Sequence, residues 1–178
     1  MQQEPFKELF DLGFSSYAVD TRGRVFNTNT DRIEKRHTNQ YGTPFVSLTD
    51  DTGRRRVLPI ARLVASQFIG PDPNHPNFNT VIHKNGDKQD CRVENLAYRS
   101  RSYAIRYHQY LKNWETMHYG ALRTVEAVEG DGRVRQFANL HEAGVHYGVL
   151  PSDVLNSIIK DLPSFIVDGV QFYFKDRI

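Results

Sequence analysis

The sequence lacks what several classes of protein require. It contains one cysteine, Cys91, among 178 residues, which excludes an internal disulfide framework and a cysteine-based zinc site. No apolar run is long enough to span a bilayer as a helix. There is no N-terminal signal pattern, since the apolar stretch from Phe6 to Phe14 is short and carries charges. We therefore expect a cytoplasmic protein with no membrane partner.

The composition is that of a folded chain with an uneven charge distribution. Its length suits one ordinary domain or two small ones, and 39% hydrophobic content supports folded cores. The net charge is only +2, but residues 1–123 carry 18 Lys and Arg against 13 Asp and Glu, whereas residues 124–178 carry 5 against 8. The basic excess thus belongs to the first two thirds of the chain.

The stretch from Val81 to Tyr98 predicts two short strands around a polar turn. Val81 and Ile82 are β-branched and favour a strand, and Asn85-Gly86-Asp87 favours a turn. Leu96 and Tyr98 are two apart, like strand residues that share a face. A helix is expected to follow, so the unit is compact enough to hold a phosphate-cleaving centre.

Two motifs in this stretch, His83 to Lys88 and Asn95 to Tyr98, resemble the ββα-metal core of HNH homing endonucleases of the phage intron-encoded kind. Tyr17 to Val25 and Ala61 to Ile69 resemble the module that precedes this core, and Val125 to Phe174 resembles the helix-turn-helix repeat that often closes such proteins. The resemblance covers nearly the whole chain in the family's order. It implies an α+β fold and double-stranded DNA as the partner.

The resemblance assigns site residues and also shows departures. The family's general base falls at His83 and its supporting asparagine at Asn95, whereas the two metal-ligand positions hold Ile82 and Ala104, and a frequent histidine is replaced by Ala61. A divalent ion needs oxygen ligands, and without the ion the phosphate loses its main charge stabilisation. We therefore expect no metal ligands, no cofactor and a disabled nuclease centre, with Mg²⁺ or Mn²⁺ required only if cleavage survives.

Other interpretations of these residues stay open. A lone histidine in a strand is commonly a structural residue. Asp87 and Asp90 lie close to His83 in sequence and are candidate ligands for a displaced metal, although turn chemistry explains Asp87 more simply.

Clustered cations give sequence-independent affinity for DNA through counterion release. The alternative is that these side chains only keep the surface soluble. The predicted contacts of the first two thirds of the chain are Arg54, Arg55, Arg56, Arg99, Arg101, Arg106 and Lys112.

The last third predicts a hairpin and two helices. Strands at 125–128 and 134–137 flank a Gly-rich turn, and helices at 140–147, capped by Asn139, and at 153–160 are separated by a glycine. Two such helices make a helix-turn-helix arrangement, and the second would face the major groove. The side chains assigned to that groove are Ser152, Asp153, Asn156, Ser157 and Lys160. The negative charge of this segment favours the alternative, a helical hairpin without a ligand.

The remaining elements are expected from local patterns. We predict a short helix within 3–12, one antiparallel sheet over 14–58, a helix over 60–69, helix between 99 and 122, and a closing hairpin within 165–174.

These patterns and the resemblance predict an α+β protein in lobes. The first lobe is a sheet module with the HNH-like core over 1–98, and the helix of that core continues to about 112. A helical or extended linker over 99–123 leads to a DNA-binding helix-turn-helix domain over 124–178. The leading hypothesis is a sequence-specific DNA-binding protein that is monomeric on DNA, for example a transcriptional regulator. We expect it to be phage-encoded or phage-derived and to act in a bacterial cytoplasm. One rival is an active site-specific nickase that uses His83 and a divalent metal. Another is a structural or protein-binding role.

Overall fold

The computed structural model describes residues 6–71, 73, 75–112, 123–160, 167 and 169–175. Contacts between residues divide the chain into a unit of Met1–Arg101 and a unit of Ser102–Ile178. The division predicted at 98, 123 and 124 stays a prediction.

The described part of the chain is mixed α+β with antiparallel sheets. The strands are β1 (Lys7–Leu9), β2 (Phe14–Val19), β3 (Val25–Asn27), β4 (Arg32–Ile33), β5 (His37–Thr38), β6 (Pro44–Thr49), β7 (Arg55–Pro59), β8 (Thr80–His83), β9 (Leu96–Arg99), β10 (Val125–Val128), β11 (Val134–Phe137) and β12 (Gln171–Phe174). The helices are α1 (Ile60–Phe68), α2 (Arg101–Lys112), α3 (Leu140–Tyr147) and α4 (Pro151–Lys160). No helix in the described ranges is both long and apolar enough to cross a membrane.

Two predictions for the N-terminal unit are wrong. The single sheet expected over 14–58 is two sheets, β1-β2-β3-β4 and β5-β6-β7, because the chain leaves the first sheet after Ile33. The helix expected within 3–12 is, in its described part, strand β1 followed by one 3-10 turn. Leu9 is fully buried while Phe6 and Phe10 are exposed, so one residue rather than an apolar stripe enters the core.

Helix α1 lies at the centre of the N-terminal unit. It begins and ends within one residue of the predicted bounds, and it contacts β2, β6, β7, β8 and β9. Ile60, Leu63 and Val64 are buried on its inner side, as their helical spacing predicts. Its exposed side carries Arg62. The helix therefore joins both sheets to the β8–β9 hairpin.

The C-terminal unit is a three-stranded sheet, β11-β10-β12, with α3 and α4 packed on it. The hairpin β10–β11 and the helices predicted at 140–147 and 153–160 are confirmed. The Asn139 side chain accepts a hydrogen bond from the Glu142 N–H, as a helix cap should, and Gly148 ends α3 in the left-handed conformation. The hairpin expected within 165–174 falls partly outside the described residues; β12 pairs with β10.

Three tyrosines join α2 to this unit. Tyr103, Tyr107 and Tyr110 are buried, at the three- to four-residue spacing of one helix face. The Tyr107 hydroxyl lies 2.7 Å from Nε2 of His141 in α3, and the Tyr103 hydroxyl donates to the Val149 carbonyl at 3.3 Å. The aromatic spacing between 99 and 122 therefore serves packing over the described residues.

One hairpin connection recurs at 20–24, 39–43, 50–54 and 129–133. Each connection has five residues. The backbone N–H of its first residue donates to the carbonyl of its fifth residue, and its fourth residue is a glycine whose N–H donates to the carbonyl of the first residue. The glycine has φ between 76° and 83°, which glycine adopts without strain. In three of these turns an Asp or Asn side chain in first place also accepts from the third and fifth N–H groups. This is the three-residue loop with a glycine bulge.

Two of these glycines make a matched pair for a stability measurement. A Cβ on Gly23 would lie 2.7 Å from Cγ2 of Ile60 and 3.3 Å from Cβ of Cys91, whereas one on Gly53 would meet nothing within 4 Å. Both Gly→Ala changes incur the left-handed strain of about 1–2 kcal/mol. Gly23→Ala should lose about 1–3 kcal/mol more, because the core must move.

The measurement is urea unfolding of the full chain, followed through the backbone amide signals of β2 and β3. Equal losses in Gly23→Ala and Gly53→Ala would show that the turn at 20–24 is not packed on α1 and Cys91.

Candidate active site

His83 is the last residue of β8, where its position is set by pairing with Leu96 of β9. Side chains alternate along a strand, so His83 shares a face with Val81, which is opposite Tyr98. Val81 and Tyr98 pack against the core of the N-terminal unit. The imidazole is therefore on the α1 side of the hairpin, and Ile82 is on the other side.

A pocket of about 420 Å³ opens beside His83. Ala61 lines it, so the position where the resembling family often has a histidine does lie at the same cavity as His83. The lining residues are Thr43, Pro59, Ala61, Arg62, Asn79, Thr80, Val81, His83, Lys88 and Tyr98. The volume is within the range of ligand pockets in proteins.

The His83 side chain has the properties of a neutral base. Its Nε2 is buried and has no hydrogen-bond partner among the described residues. Burial lowers the pKa of His83 below its usual value, and the nearby charges of Asp87 and Asp90 oppose this shift. A lowered pKa keeps the imidazole uncharged at neutral pH, which is the form that accepts a proton.

The residues beside His83 do not fit a divalent metal ion. Ile82 is buried, with 6% of its surface exposed, and its strand partner Ala97 is also apolar. Ala104 lies in α2, in the C-terminal unit. Within the described ranges, no group of three or more His, Cys, Asp or Glu side chains could hold a metal. The oxygen donors that Mg²⁺ or Mn²⁺ needs are therefore missing at the expected positions.

The two nearby aspartates shape the loop between the strands. Both carboxylate oxygens of Asp90 accept from Arg92 at 2.8 Å, and this partner holds the pKa of Asp90 at about 2. Asp87 accepts from the Gln89 N–H at 2.8 Å. This geometry agrees with the interpretation of Asp87 as a turn residue. Asp90 forms an ion pair with Arg92.

Asn95 joins the two ends of that loop. Its side chain is buried, with its oxygen accepting from the Asn85 N–H at 2.9 Å and its Nδ2 donating to the Asp90 carbonyl at 2.8 Å. These bonds close residues 85–90 into a fixed shape. The Asn95 side chain therefore shapes this loop, a role that its place in the motif did not reveal.

The loop is in turn fixed to the hairpin turn at 39–43. The Lys88 ammonium donates to the Tyr41 carbonyl at 3.1 Å, and Gln89 Nε2 donates to the Gly42 carbonyl at 2.7 Å. Thr43, at the end of this turn, lines the pocket together with Lys88. Sequence reasoning missed this contact, because no local pattern marks two loops that are 47 residues apart.

The predicted cations directly before and at the start of β7 differ in their surroundings. Arg54 and Arg55 are exposed, and Arg55 Nε donates to the Ser47 hydroxyl at 2.7 Å. Arg56 Nε donates to Asp50 at 3.0 Å. Hydrogen bonds from Thr52 and Arg56 hold the pKa of Asp50 well below its usual range. Part of the Arg56 charge is therefore neutralised within the protein.

The remaining predicted cations lie along β9 and α2. Arg99 is partly buried, donates to the Tyr98 carbonyl at 2.6 Å and lies over the Phe78 ring. Arg101 and Arg106 are exposed on α2. Lys112 is the last residue of α2, and its side chain lies outside the described part of the structure.

Helix α4 exposes only part of the surface assigned to it. Ser157 is buried, with 8% exposure, so its assignment to the groove-facing side is wrong: it shares the inner side with Val154. Asp153 is half-buried and accepts from the Leu150 N–H at 3.1 Å. Ser152 is half-buried as well, whereas Asn156 and Lys160 are exposed.

The closed loop gives a stability prediction. Asn95→Ala leaves the Asn85 N–H and the Asp90 carbonyl without their partner, which should cost about 1–3 kcal/mol. Asn29→Ala is the matched control, because it removes one exposed bond, from Asn29 Nδ2 to the Ser16 hydroxyl, and should cost at most about 0.5 kcal/mol. Urea unfolding followed by the amide signals of β8 and β9 measures both. A loss in Asn95→Ala no larger than in Asn29→Ala would contradict the role given to Asn95.

Comparison with known proteins shows that the segment holding this site resembles one family. Residues 61–106 match the HNH endonuclease family. An uncharacterized HNH endonuclease, L247 of Acanthamoeba polyphaga mimivirus, is 31% identical over 150 residues, which are 83% of this chain and 36% of that protein. The chain thus spans about a third of the length of this relative.

The fold has a solved counterpart. The structure of the HNH homing endonuclease I-HmuI, described as showing DNA binding and cleavage, matches with a TM-score of 0.51 and 18% identity over 98% of this chain and 99% of that one. The α+β fold expected from the motifs is confirmed. Residues 61–106 of the chain thus resemble the HNH endonuclease family, and the chain shares the α+β fold of I-HmuI.

Proposed function

We propose that this chain binds a defined site on double-stranded DNA and does not cleave it. The proposal that the chain does not cleave DNA rests on Ile82, which is buried and directly precedes His83. The family resemblance expects a metal-binding aspartate at that position. A phosphodiester that is attacked without a divalent ion lacks its main charge stabilisation. His83 is then a base without the Lewis acid that its reaction needs.

DNA as the partner rests on two kinds of support. I-HmuI, which matches in fold, binds and cleaves DNA. The chain itself carries exposed cations at Arg54, Arg55, Arg101 and Arg106, which suit a polyanion.

The helix pair α3–α4 is the proposed base-reading element. Its two helices are joined through Gly148, and α4 exposes Asn156 and Lys160. A helix-turn-helix reads base edges from its second helix. In this proposal the N-terminal unit contacts phosphates, the linker over 99–123 follows the duplex, and a monomer covers a long asymmetric site. Occupation of such a site suits a phage-derived transcriptional regulator.

An active nickase is the second candidate. The unpartnered Nε2 of His83, its lowered pKa and the open pocket beside it favour a working base. This candidate requires metal ligands that come from DNA and water instead of Ile82 and Ala104.

Cleavage separates the two candidates. We expect no conversion of supercoiled plasmid to nicked circles by the purified chain in Mg²⁺ or Mn²⁺. The variant Ile82→Asp restores an oxygen donor directly before His83 in the sequence and should gain metal-dependent nicking. Its control is the same variant with His83→Ala, which should stay inactive. Nicking by the unaltered chain that disappears in His83→Ala would establish the nickase instead.

Salt dependence tests DNA binding. We expect the logarithm of the association constant for a selected genomic duplex to fall linearly with the logarithm of salt concentration, by about 0.9 per phosphate contact. Arg54→Gln with Arg55→Gln should reduce this slope by roughly 1–2. Arg56→Gln is the matched control, and it should change the slope less because Asp50 already holds that side chain. Absence of salt-sensitive binding would favour the structural or protein-binding role.

A further inference from the structure

Asn85 and Gly86 form a dipeptide with a reaction of its own. Asn85 is the one asparagine of the sequence that a glycine follows, and both residues are exposed in the turn that follows β8. In such a pair the glycine backbone nitrogen can attack Cγ of the asparagine side chain. Glycine has no side chain to shield this nitrogen, and its backbone adopts the required angles freely. Asn85 is therefore a candidate for spontaneous deamidation.

This reaction has two steps and needs water alone. First, a bond forms between the Gly86 nitrogen and Cγ of Asn85 while the bond from Cγ to Nδ2 breaks. The Gly86 amide proton leaves with the side-chain NH₂ group as ammonia. Water then opens the resulting succinimide ring at one of its two carbonyls. The product is an aspartate at position 85, or an isoaspartate whose main chain runs through the former side chain and is one carbon longer.

The native loop holds both reacting groups in other contacts. The Gly86 N–H donates to the His83 carbonyl at 3.0 Å. The Asn85 side-chain oxygen accepts from the Asp87 N–H at 2.9 Å, and its Nδ2 donates to the Asp90 carboxylate at 3.2 Å. The attacking nitrogen and the leaving group are thus both bonded elsewhere, and these bonds must open before the reaction can start.

Asn95 keeps this arrangement closed. Its side chain accepts from the Asn85 N–H and donates to the Asp90 carbonyl, and its own carbonyl accepts from the Lys84 N–H at 2.7 Å. Asn95 is buried, whereas the dipeptide that it holds is exposed. Opening of the loop therefore breaks bonds to a buried side chain. Local opening of this kind limits the rate of any reaction that the closed state prevents.

We propose that Asn85 is a deamidation site whose rate is limited by opening of the loop over 85–90, and that the modification releases this loop irreversibly. The proposal goes beyond the proposed function, because it holds whether or not the chain binds DNA. It assigns a modification to a residue that lies two positions from His83 in the sequence.

Each product disturbs the loop in a different way. In the aspartate, a carboxylate oxygen takes the place of the Nδ2 donor that now lies 3.2 Å from the Asp90 carboxylate, and two like charges repel each other. In the isoaspartate, the main chain is longer inside a loop whose two ends Asn95 joins. Lys88 and Gln89 then lose their fixed attachment to the turn at 39–43.

The first test measures deamidation of the full chain in mildly alkaline buffer by peptide mass spectrometry. The unaltered chain should deamidate at Asn85 about tenfold or more slowly than a free peptide of residues 81–88, and urea should abolish this difference. Asn95→Ala should accelerate the reaction about tenfold or more, because it removes both side-chain bonds across the loop. Asp90→Ala is a second variant that leaves these buried bonds in place. It removes the acceptor of Nδ2 and should accelerate the reaction about two- to tenfold.

The matched control is Asn29→Ala, which removes one exposed bond in another turn and should leave the rate at Asn85 unchanged. Deamidation of the unaltered folded chain as fast as the free peptide would overturn the proposal. Rates in Asn95→Ala and Asp90→Ala that equal the rate in Asn29→Ala would overturn it as well.

The second test measures the effect of the modification on the loop. Asn85→Asp reproduces the aspartate product and should speed hydrogen exchange of the backbone N–H at position 85 about tenfold or more. Asn29→Asp is the control, because the Asn29 side chain donates to the Ser16 hydroxyl instead of to a carboxylate. Equal exchange at position 85 in the two variants would show that the modification does not release the loop. Neither test involves DNA, so their failure would not count against the proposed function.

Discussion

The buried carboxamide of Asn95 is the interaction on which the arrangement of the site depends. A buried amide must satisfy its acceptor and donors, and Asn95 does so with the backbone of Asn85 and Asp90. The loop closed in this way presents Lys88 to the Tyr41 carbonyl and to the pocket at once. The position of Lys88 at the pocket therefore depends on two hydrogen bonds made by one side chain that does not line the pocket.

A site that has side-chain cations but no divalent ion differs from a metal centre in the chemistry it can perform. A divalent ion both binds phosphate oxygens and activates water or a leaving group. Arg62 and Lys88 provide charge and directed N–H donors only. A centre that keeps His83 as a base but has Ile82 next to it in the sequence can retain phosphate binding and lose the activation of water or of a leaving group. In the proposed function, binding and cleavage are separable because different groups would supply them.

Local chemistry made much of this fold predictable, and distant contacts made the rest unpredictable. The hairpin β10–β11, the cap Asn139 and the helices α1, α3 and α4 depend on neighbouring residues, so their patterns are readable in the sequence. The division of residues 14–58 into two sheets depends on which strands pair. The attachment of Lys88 to Tyr41 spans 47 residues. The inward position of Ser157 depends on how α4 rotates against its sheet, and helical spacing alone leaves that rotation open.

The family motifs placed His83, Ile82 and Asn95 correctly in one hairpin, but sequence could not show which cations are available. Carboxylates hold Arg24, Arg56, Arg92 and Arg135 through contacts of 2.6–3.0 Å. These side chains are partly exposed, so such pairs contribute little to stability, yet each reduces the positive field that a polyanion meets. Arg62 has no such partner among the described residues, and it is also the arginine at the pocket. The distribution of internal ion pairs therefore shapes the positive field of this surface, which the formal charge of +2 alone does not describe.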